Sequence, residues 1–326
     1  MTATISSVIT DYLNVVKLAR SQNTTLTYAK ALKEFKKVLV KAKIDPDTSP
    51  AGTLTEDLAS RFVMHLKSFS PATEQVYVRA LARFFKYLSA ERLAEINLPR
   101  MDLLIEQRSR KPGIRLPQFP TNEIERVLDS VADASTLPAE SQMERLRAMR
   151  DRAFLLTLAD TGLRVHEACN LRRGDLDWNE GRAVIIGKGD KQAVIRFTSR
   201  SMRALKDYLS LRAELDGGSG KQLTALPLFA RHDKGTGKKV KPITPTTGRN
   251  IVAERVKQIL GSEAEGHITP HSFRHYFVST ILKASGNLKL AQALARHENI
   301  QITQRYAHLN DDELDKGYYE IFEKKA

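Results

Sequence analysis

Cysteine is almost absent: Cys169 stands alone in 326 residues. A single thiol excludes an intramolecular disulfide framework and any zinc site built from several cysteines. Long apolar runs are missing too. No stretch approaches the roughly 20 apolar residues that cross a bilayer, so no membrane span is expected. Met1 to Ser7 is polar and no adequate apolar core follows, so no signal peptide is expected either. There are no internal repeats and no long low-complexity tract. Acidic residues are in deficit: 38 Asp and Glu face 52 Lys and Arg, a formal net charge of +14, with a pI near 9.8. An excess of that size favours a polyanionic partner, most commonly nucleic acid, over a merely basic soluble protein. A reducing compartment, the cytoplasm, is the expected setting.

What is present is patterned. A hydrophobic content of 41% can fill packed cores, and the length suits two domains better than one. Residues 1–104 read as a helical module. Val8, Tyr12, Val15 and Val16 form one apolar stripe, Tyr28, Leu32, Phe35 and Leu39 a second, and Leu58, Phe62, Val63 and Leu66 a third. A fourth helix is expected to open at Ser70-Pro71, a cap followed by proline at the first helical position. Its apolar face is Tyr77, Leu81, Phe84, Phe85 and Leu88. Lys30, Lys33 and Lys37 lie on the polar side of the second helix, and Arg79, Arg83 and Lys86 are interleaved along the fourth. These are candidate DNA contacts, set against the simpler reading of solvated helix faces.

Between Pro99 and Pro120 the pattern breaks, and residues 105–119 read as a basic extended linker carrying Arg108, Arg110, Lys111 and Arg115 as further candidate DNA contacts. The second domain, 120–326, is expected to start with Thr121 as a helix cap. A long helix from about Met143 should stop at Thr161-Gly162. Ala183 to Ile186 and Ala193 to Phe197 then read as a hairpin around Gly187-Lys188-Gly189-Asp190-Lys191. Helices resume near Ser199, near Pro245, from His271 to about Ala284, from Leu288 to Arg296, and around Gln301 to His308 and Asp311 to Lys324. The loop from Arg231 to Lys241 is rich in Gly and Lys. The fold class is mainly α with a small β-sheet, α+β.

Three segments of the second domain hold candidate chemistry. Arg164, in Thr161-Gly162-Leu163-Arg164-Val165-His166-Glu167, follows a helix-ending glycine and can aim its fork at a phosphate with Glu167 supporting it; a surface ion pair accounts for the same residues. His271 and Arg274 are i and i+3 on one helix and can reach one ligand. His297 precedes Tyr306 by nine residues. His271 and His275 are four apart, as metal ligands often are, but no HExxH arrangement or cysteine cluster accompanies them, so no metal and no cofactor are expected. His166, Cys169 and His308 read as packing or surface residues. Tyr318 and Tyr319 rival Tyr306 by residue type alone.

Taken together and in order, Arg164, the Gly-flanked Lys188, His271-x-x-Arg274, His297 and Tyr306 resemble the tyrosine recombinase (phage integrase) family, especially its Xer-like members. The resemblance covers nearly the whole chain. It implies a core-binding domain in residues 1–104, with Thr27-Tyr28 and Ser70-Pro71-Ala72-Thr73 opening two of its helices, and a catalytic domain in 120–326. Two departures stand out. Ala295-Arg296-His297 replaces the usual Leu-Gly-His, which alters the glycine turn and adds Arg296 as a candidate phosphate contact. His166 stands where serine is common.

The resemblance implies site-specific recombination. By that resemblance Tyr306 would be the nucleophile that forms a 3′-phosphotyrosine, Arg164 and Arg274 would hold the non-bridging phosphate oxygens, and Lys188 would protonate the leaving oxygen. His271 takes or orients the tyrosine proton, and His297 donates to the phosphate. A free phenol has a pKa near 10, so fixed positive charge nearby is needed to favour the phenolate. Implied partners are double-stranded DNA and other copies of the chain in a tetramer, with a related recombinase or a DNA translocase as further candidates. Leu314, Tyr318, Ile321 and Phe322 would form the apolar face of a tail docked on a neighbour, or in cis. The expected place is cytoplasmic and nucleoid-associated. The rivals are a type IB topoisomerase, a DNA-binding protein without catalysis and, more distantly, a zinc hydrolase.

Overall fold

The computed structural model describes residues 3–110, 120–132, 141–186, 192–233, 239–297, 300 and 303. The chain forms two compact units, Met1–Arg115 and Leu116–Ala326. Lys111, Arg115, Lys188, Tyr306, His308, the tail after it and part of the loop from Arg231 to Lys241 lie outside the described residues.

The first unit contains α1 (Ile5–Ala19), α2 (Gln22–Lys41), α3 (Asp57–His65), α4 (Pro71–Ala90) and α5 (Leu98–Arg108). Local sequence starts most of them. The side chains of Thr4, Ser21, Ser70 and Asn97 each accept a backbone N–H of the first turn, and Pro71 sits where its missing N–H is no loss. Their apolar stripes meet in an aromatic core. Phe35 packs edge-on against Phe62 and Phe85, and Tyr12 lies among Tyr28, Phe84 and Tyr87.

Helix α5 corrects the expected break at Pro99. That proline occupies the first turn of a helix capped by Asn97, where proline is tolerated. Leu98, Met101 and Ile105 then repeat at helical spacing against the core. Arg108 therefore ends a helix instead of lying in an extended linker. Beyond it, Arg110 is tied back to Glu74, a fully buried carboxylate on α4. The Arg110 backbone N–H donates to Oε1 at 2.8 Å and its Nε donates to Oε2, while Lys67 Nζ reaches Oε1 at 2.9 Å. Burial pushes the Glu74 carboxyl up, but the bonds from Arg110 and Lys67 outweigh it and hold the group below the usual range.

The second unit contains α6 (Thr121–Ala132), α7 (Gln142–Thr161), α8 (Val165–Asn170), β1 (Leu176–Asp177), β2 (Arg182–Ile186), β3 (Gln192–Arg196), α9 (Ser199–Leu211), α10 (Ala213–Gly217), α11 (Pro245–Leu260), α12 (Pro270–Ser285) and α13 (Leu288–Ala295). Thr121 is the first residue of α6, not its cap; the N–H of Ile124 bonds to the Pro120 carbonyl. Helix α7 runs through the core, with every residue from Ala153 to Ala159 buried. The strands form an antiparallel sheet in the order β1-β2-β3, with Ala183 opposite Ile195 and Ile186 opposite Gln192. Ala183, Ile185 and Ile195 face the core, while Val184, Ile186 and Val194 are exposed, as the period of two requires.

Candidate active site

Arg164 is placed by the end of α7. Gly162 stops the helix in the left-handed region, φ 58° and ψ 24°, and its N–H bonds to the Leu158 carbonyl. A side chain is excluded there twice over. The backbone angle disfavours one, and a Cβ would lie 2.4 Å from the Phe277 ring. Leu163 is buried as an anchor, and Arg164 follows as the N-cap of α8.

Glu167, one turn into α8, holds Arg164 twice. Its Oε2 accepts the Arg164 backbone N–H at 2.9 Å, and its Oε1 accepts Nη1 at 2.9 Å. The Arg164 side chain stays 41% exposed above a carboxylate that is only 3% exposed. Burial would raise the Glu167 carboxyl. The backbone N–H of Arg164 and the charges of Arg296 and Arg164 together overcome that and keep it low.

Helix α12 opens with Thr269 as cap and Pro270 in its first turn, and the Ser272 hydroxyl accepts the Thr269 N–H at 3.1 Å. His271 is exposed at this end. Arg274, one turn on, is 2% exposed. Its Nη1 donates to the Gly162 carbonyl and its Nη2 to the Ala295 carbonyl, so it ties the ends of α7 and α13 together. The two arginines that sequence reasoning treats as a matched pair are thus unlike, one half out in solvent and one beneath the surface.

The third segment turns at Arg296, which adopts φ 56° and ψ 44°, the left-handed conformation that glycine takes most readily. Arg296 therefore makes a left-handed turn here without a glycine. Arg296 does not lie open on the surface. Its side chain is 14% exposed, and Nη2 donates to Glu167 Oε2 at 3.1 Å. The next residue, His297, is buried; its Nδ1 lies 2.8 Å from the Thr303 hydroxyl, and its carbonyl accepts Gln292 Nε2 at 3.1 Å.

Two guanidinium groups thus share one carboxylate while a third, Arg274, is held at the Gly162 turn beside them, and the neighbouring histidines are pushed toward neutrality. Although His271 is partly exposed, desolvation by the surrounding protein, then the charges of Arg274 and Arg164, lower its pKa. The same causes, with His271 and Arg296 added, take His297 down to about 4. His275, whose ring centre lies 4.2 Å from that of His271, falls to about 3, first through burial and then through His271, Arg274 and His297. The assembly keeps net positive charge with neutral imidazoles, which suits an anionic ligand and a proton acceptor side by side.

A cleft opens between α8 and the hairpin, with His166, Glu167 and Arg172 on one side and Ile186 and Gln192 on the other. Lys188 falls in sequence between those last two residues. Arg164 is bonded to Glu167, Arg274 to the Gly162 turn just before Arg164, and His271 and His297 both stand within electrostatic reach of Arg274 and Arg164. Cys169 is buried, its thiol pushed up to about 12 by burial, and His166 is exposed. Among the described residues no group of three His, Cys, Asp or Glu is arranged to hold a metal, and no helix is long and apolar enough to cross a membrane. In the first unit, Lys30, Lys33, Lys37, Arg79, Arg83 and Lys86 are exposed. Lys37 also pairs with Glu34, and Lys86 with Asp102.

Sequence reasoning missed Glu74 and a buried chain in the second unit. There, the Tyr208 hydroxyl meets His232 Nε2 at 2.7 Å and Arg212, which in turn pairs with Asp216. Arg110 lies 36 residues from Glu74 and His232 lies 24 from Tyr208, so neither contact has a local signal; the i, i+4 spacing of Tyr208, Arg212 and Asp216 is the one signal that could have marked the buried chain.

Residues 120–313 match the Phage integrase family. The tyrosine recombinase XerC of Thermodesulfovibrio yellowstonii is 30% identical over 95% of this chain and 94% of its own length. XerC of Bacillus subtilis is 29% identical over 94% and 92%. Among solved structures, the Tn1549 transposon integrase in complex with a circular intermediate DNA aligns with a TM-score of 0.68 at 18% identity, over 98% of this chain and all of that one. The XerH recombinase bound to its difH substrate aligns with a TM-score of 0.66 at 19% identity, over 97% and 84%.

Proposed function

The chain belongs to the phage integrase family of tyrosine recombinases, and we propose that it is a site-specific DNA recombinase that breaks and rejoins duplex DNA through Tyr306. The observation that carries this reading is the clustering of Arg164, Arg274 and His297 about Glu167 and the Gly162 turn, with His271 beside them. A half-exposed guanidinium over a buried carboxylate can accept a phosphate without giving up its support.

The steps follow from these groups. The Tyr306 oxygen attacks the phosphorus of a backbone phosphodiester, and the bond to the 5′-oxygen breaks. His271, held neutral, accepts or orients the phenolic proton. Arg164 binds a non-bridging oxygen as negative charge builds on it. Arg274 adds positive charge from below, and His297 offers a neutral donor. Lys188 gives its proton to the departing 5′-oxygen, which an ammonium can do and a guanidinium effectively cannot. One ester replaces another, so the reverse attack by a 5′-hydroxyl reseals the strand without ATP.

Exchange between two duplexes takes four such cleavages, hence a tetramer on DNA. The tail with Leu314, Tyr318, Ile321 and Phe322 is the segment proposed to dock on a neighbouring copy. A related recombinase or a DNA translocase is a further candidate partner, and the cytoplasmic nucleoid the proposed place of action. Exposed Lys30, Lys33, Arg79 and Arg83 are proposed to hold the phosphate backbone, which gives affinity but no sequence choice.

Capture of covalent adducts tests the assignment. Nicked duplexes prepared from the source's own DNA are incubated with the protein, denatured and recovered by their bound protein, which also identifies the site. Wild type should yield 3′-linked adducts, whereas Tyr306→Phe should bind the recovered duplex and yield none. Adducts persisting in that variant would exclude Tyr306.

A further inference from the structure

We propose that Arg296 is a positioning residue of this site: by occupying Glu167 it holds Arg164 in an outward pose, and it makes no contact with DNA itself. The inference rests on the recombinase reading and concerns how its arginine is presented. Backbone geometry alone does not call for arginine at 296. At φ 56° and ψ 44° a glycine would fit without steric cost, so the use of arginine lies in its side chain. That side chain is turned inward. Nη2 donates to Glu167 Oε2 at 3.1 Å, and Nε and Nη1 are buried with no hydrogen-bond partner among the described residues. A group so placed cannot reach a phosphate outside.

The effect falls on Arg164. A carboxylate and a guanidinium left alone favour a bidentate pair with two parallel bonds. Here Glu167 Oε2 already takes the Arg164 backbone N–H and Arg296 Nη2, so the Arg164 side chain keeps only its Nη1 bond to Oε1. The rest of its fork remains outside, 41% exposed. One negative charge shared by two cations also leaves Arg164 more attractive to a phosphate than a private pair would. Arg296 and His297 are neighbours, so the same contact fixes the turn that carries the histidine.

The test uses full-length protein and the nicked duplex recovered as above. Arg296→Gly keeps the turn and removes the guanidinium; Arg296→Met keeps bulk without a donor; Arg296→Lys restores a cation. Gly and Met variants should form adducts roughly ten- to a hundredfold more slowly than wild type at unchanged DNA affinity, and Lys should recover most of the rate. Wild-type rates in both Gly and Met variants would overturn the proposal. So would a loss of rate matched by an equal loss of affinity, which would make Arg296 a DNA contact. A crystal structure of Arg296→Gly needs no cleavage and separates this inference from the recombinase reading. Arg164 should fold back into a bidentate pair with Glu167, and an unchanged single bond would refute the positioning role whatever the enzyme does.

Discussion

Arg274 and Gly162, 112 residues apart, are joined by a hydrogen bond from guanidinium to carbonyl. The bond requires the chain to reverse at Gly162, where a left-handed backbone angle and the Phe277 ring both exclude a side chain. Gly162→Ala should therefore cost about 2–5 kcal/mol, the sum of left-handed strain and overpacking, and should slow adduct formation by displacing Arg164. Urea unfolding of the full chain, followed through the transition of the second unit, measures the first effect. A change within about 0.5 kcal/mol of wild type would mean that the turn accommodates a Cβ.

Acid should loosen the second unit before it protonates most carboxylates. His297 falls from an ordinary 6.5 to about 4 in the folded chain. Above pH 6.5 the ring is neutral in both states and has no effect. Between about 6.5 and 4 the unfolded state takes the proton first, so stability is lost, by up to about 3 kcal/mol. Below that range both states are charged and the loss stops growing. His232 and His275, each lowered to about 3, act over the same window and beyond it. Melting temperature against pH should fall across this range, and His297→Asn should make the fall shallower. An unaltered slope in that variant would remove His297 as a contributor.

Lys188 should matter only when the leaving oxygen needs a proton. Lys188→Ala should cut adduct formation by about 10²- to 10⁴-fold on an ordinary nicked duplex. Replacing the bridging 5′-oxygen of the scissile phosphate with sulfur should restore the rate, because a thiolate leaves without protonation. If the sulfur substrate is cleaved as poorly as the ordinary one, Lys188 has another role.

Glu74 and the exposed basic residues separate stability from DNA affinity. Glu74→Gln should cost about 1–3 kcal/mol at neutral pH by loosening Arg110 and Lys67. Because the folded carboxyl lies below its usual 4.5, that stabilisation is present above pH 4.5 and should fade as pH falls below it. Arg110→Ala should leave the salt dependence of DNA binding unchanged. Lys33→Ala and Arg83→Ala should each lower the slope of log K against log salt by about 1. A flat response to both would move the DNA interface elsewhere.

Much of this was legible because it is local. Ser70-Pro71 capping, the stop at Gly162, the hairpin of β2 and β3, and the i, i+3 spacing of His271 and Arg274 each depend on residues within a turn or a strand pair. The family resemblance supplied the order of the site residues. What escaped was set by contacts between distant segments. Pro99 looked like a break because its tolerated place in the first turn depends on where Asn97 caps the helix. Arg110 read as a linker charge because Glu74 lies 36 residues earlier. The ion pair of Arg296 was hidden because nothing near it in sequence announces Glu167, 129 residues away. Burial of Arg274 was equally invisible, since only the packing of α12 against α7 and α13 creates it.

Helix α7 also has a length that its composition does not explain. Its 20 residues end at Thr161, one residue before the Gly162 carbonyl that Arg274 grasps. One residue added within it would rotate everything beyond by about 100° and advance it about 1.5 Å, carrying Arg164 away from the other two segments. Insertions and deletions in this chain should therefore collect in its loops, while α7 keeps its count even where its individual residues change. It serves the site as a ruler, and its lineage should show drift in spelling but not in length.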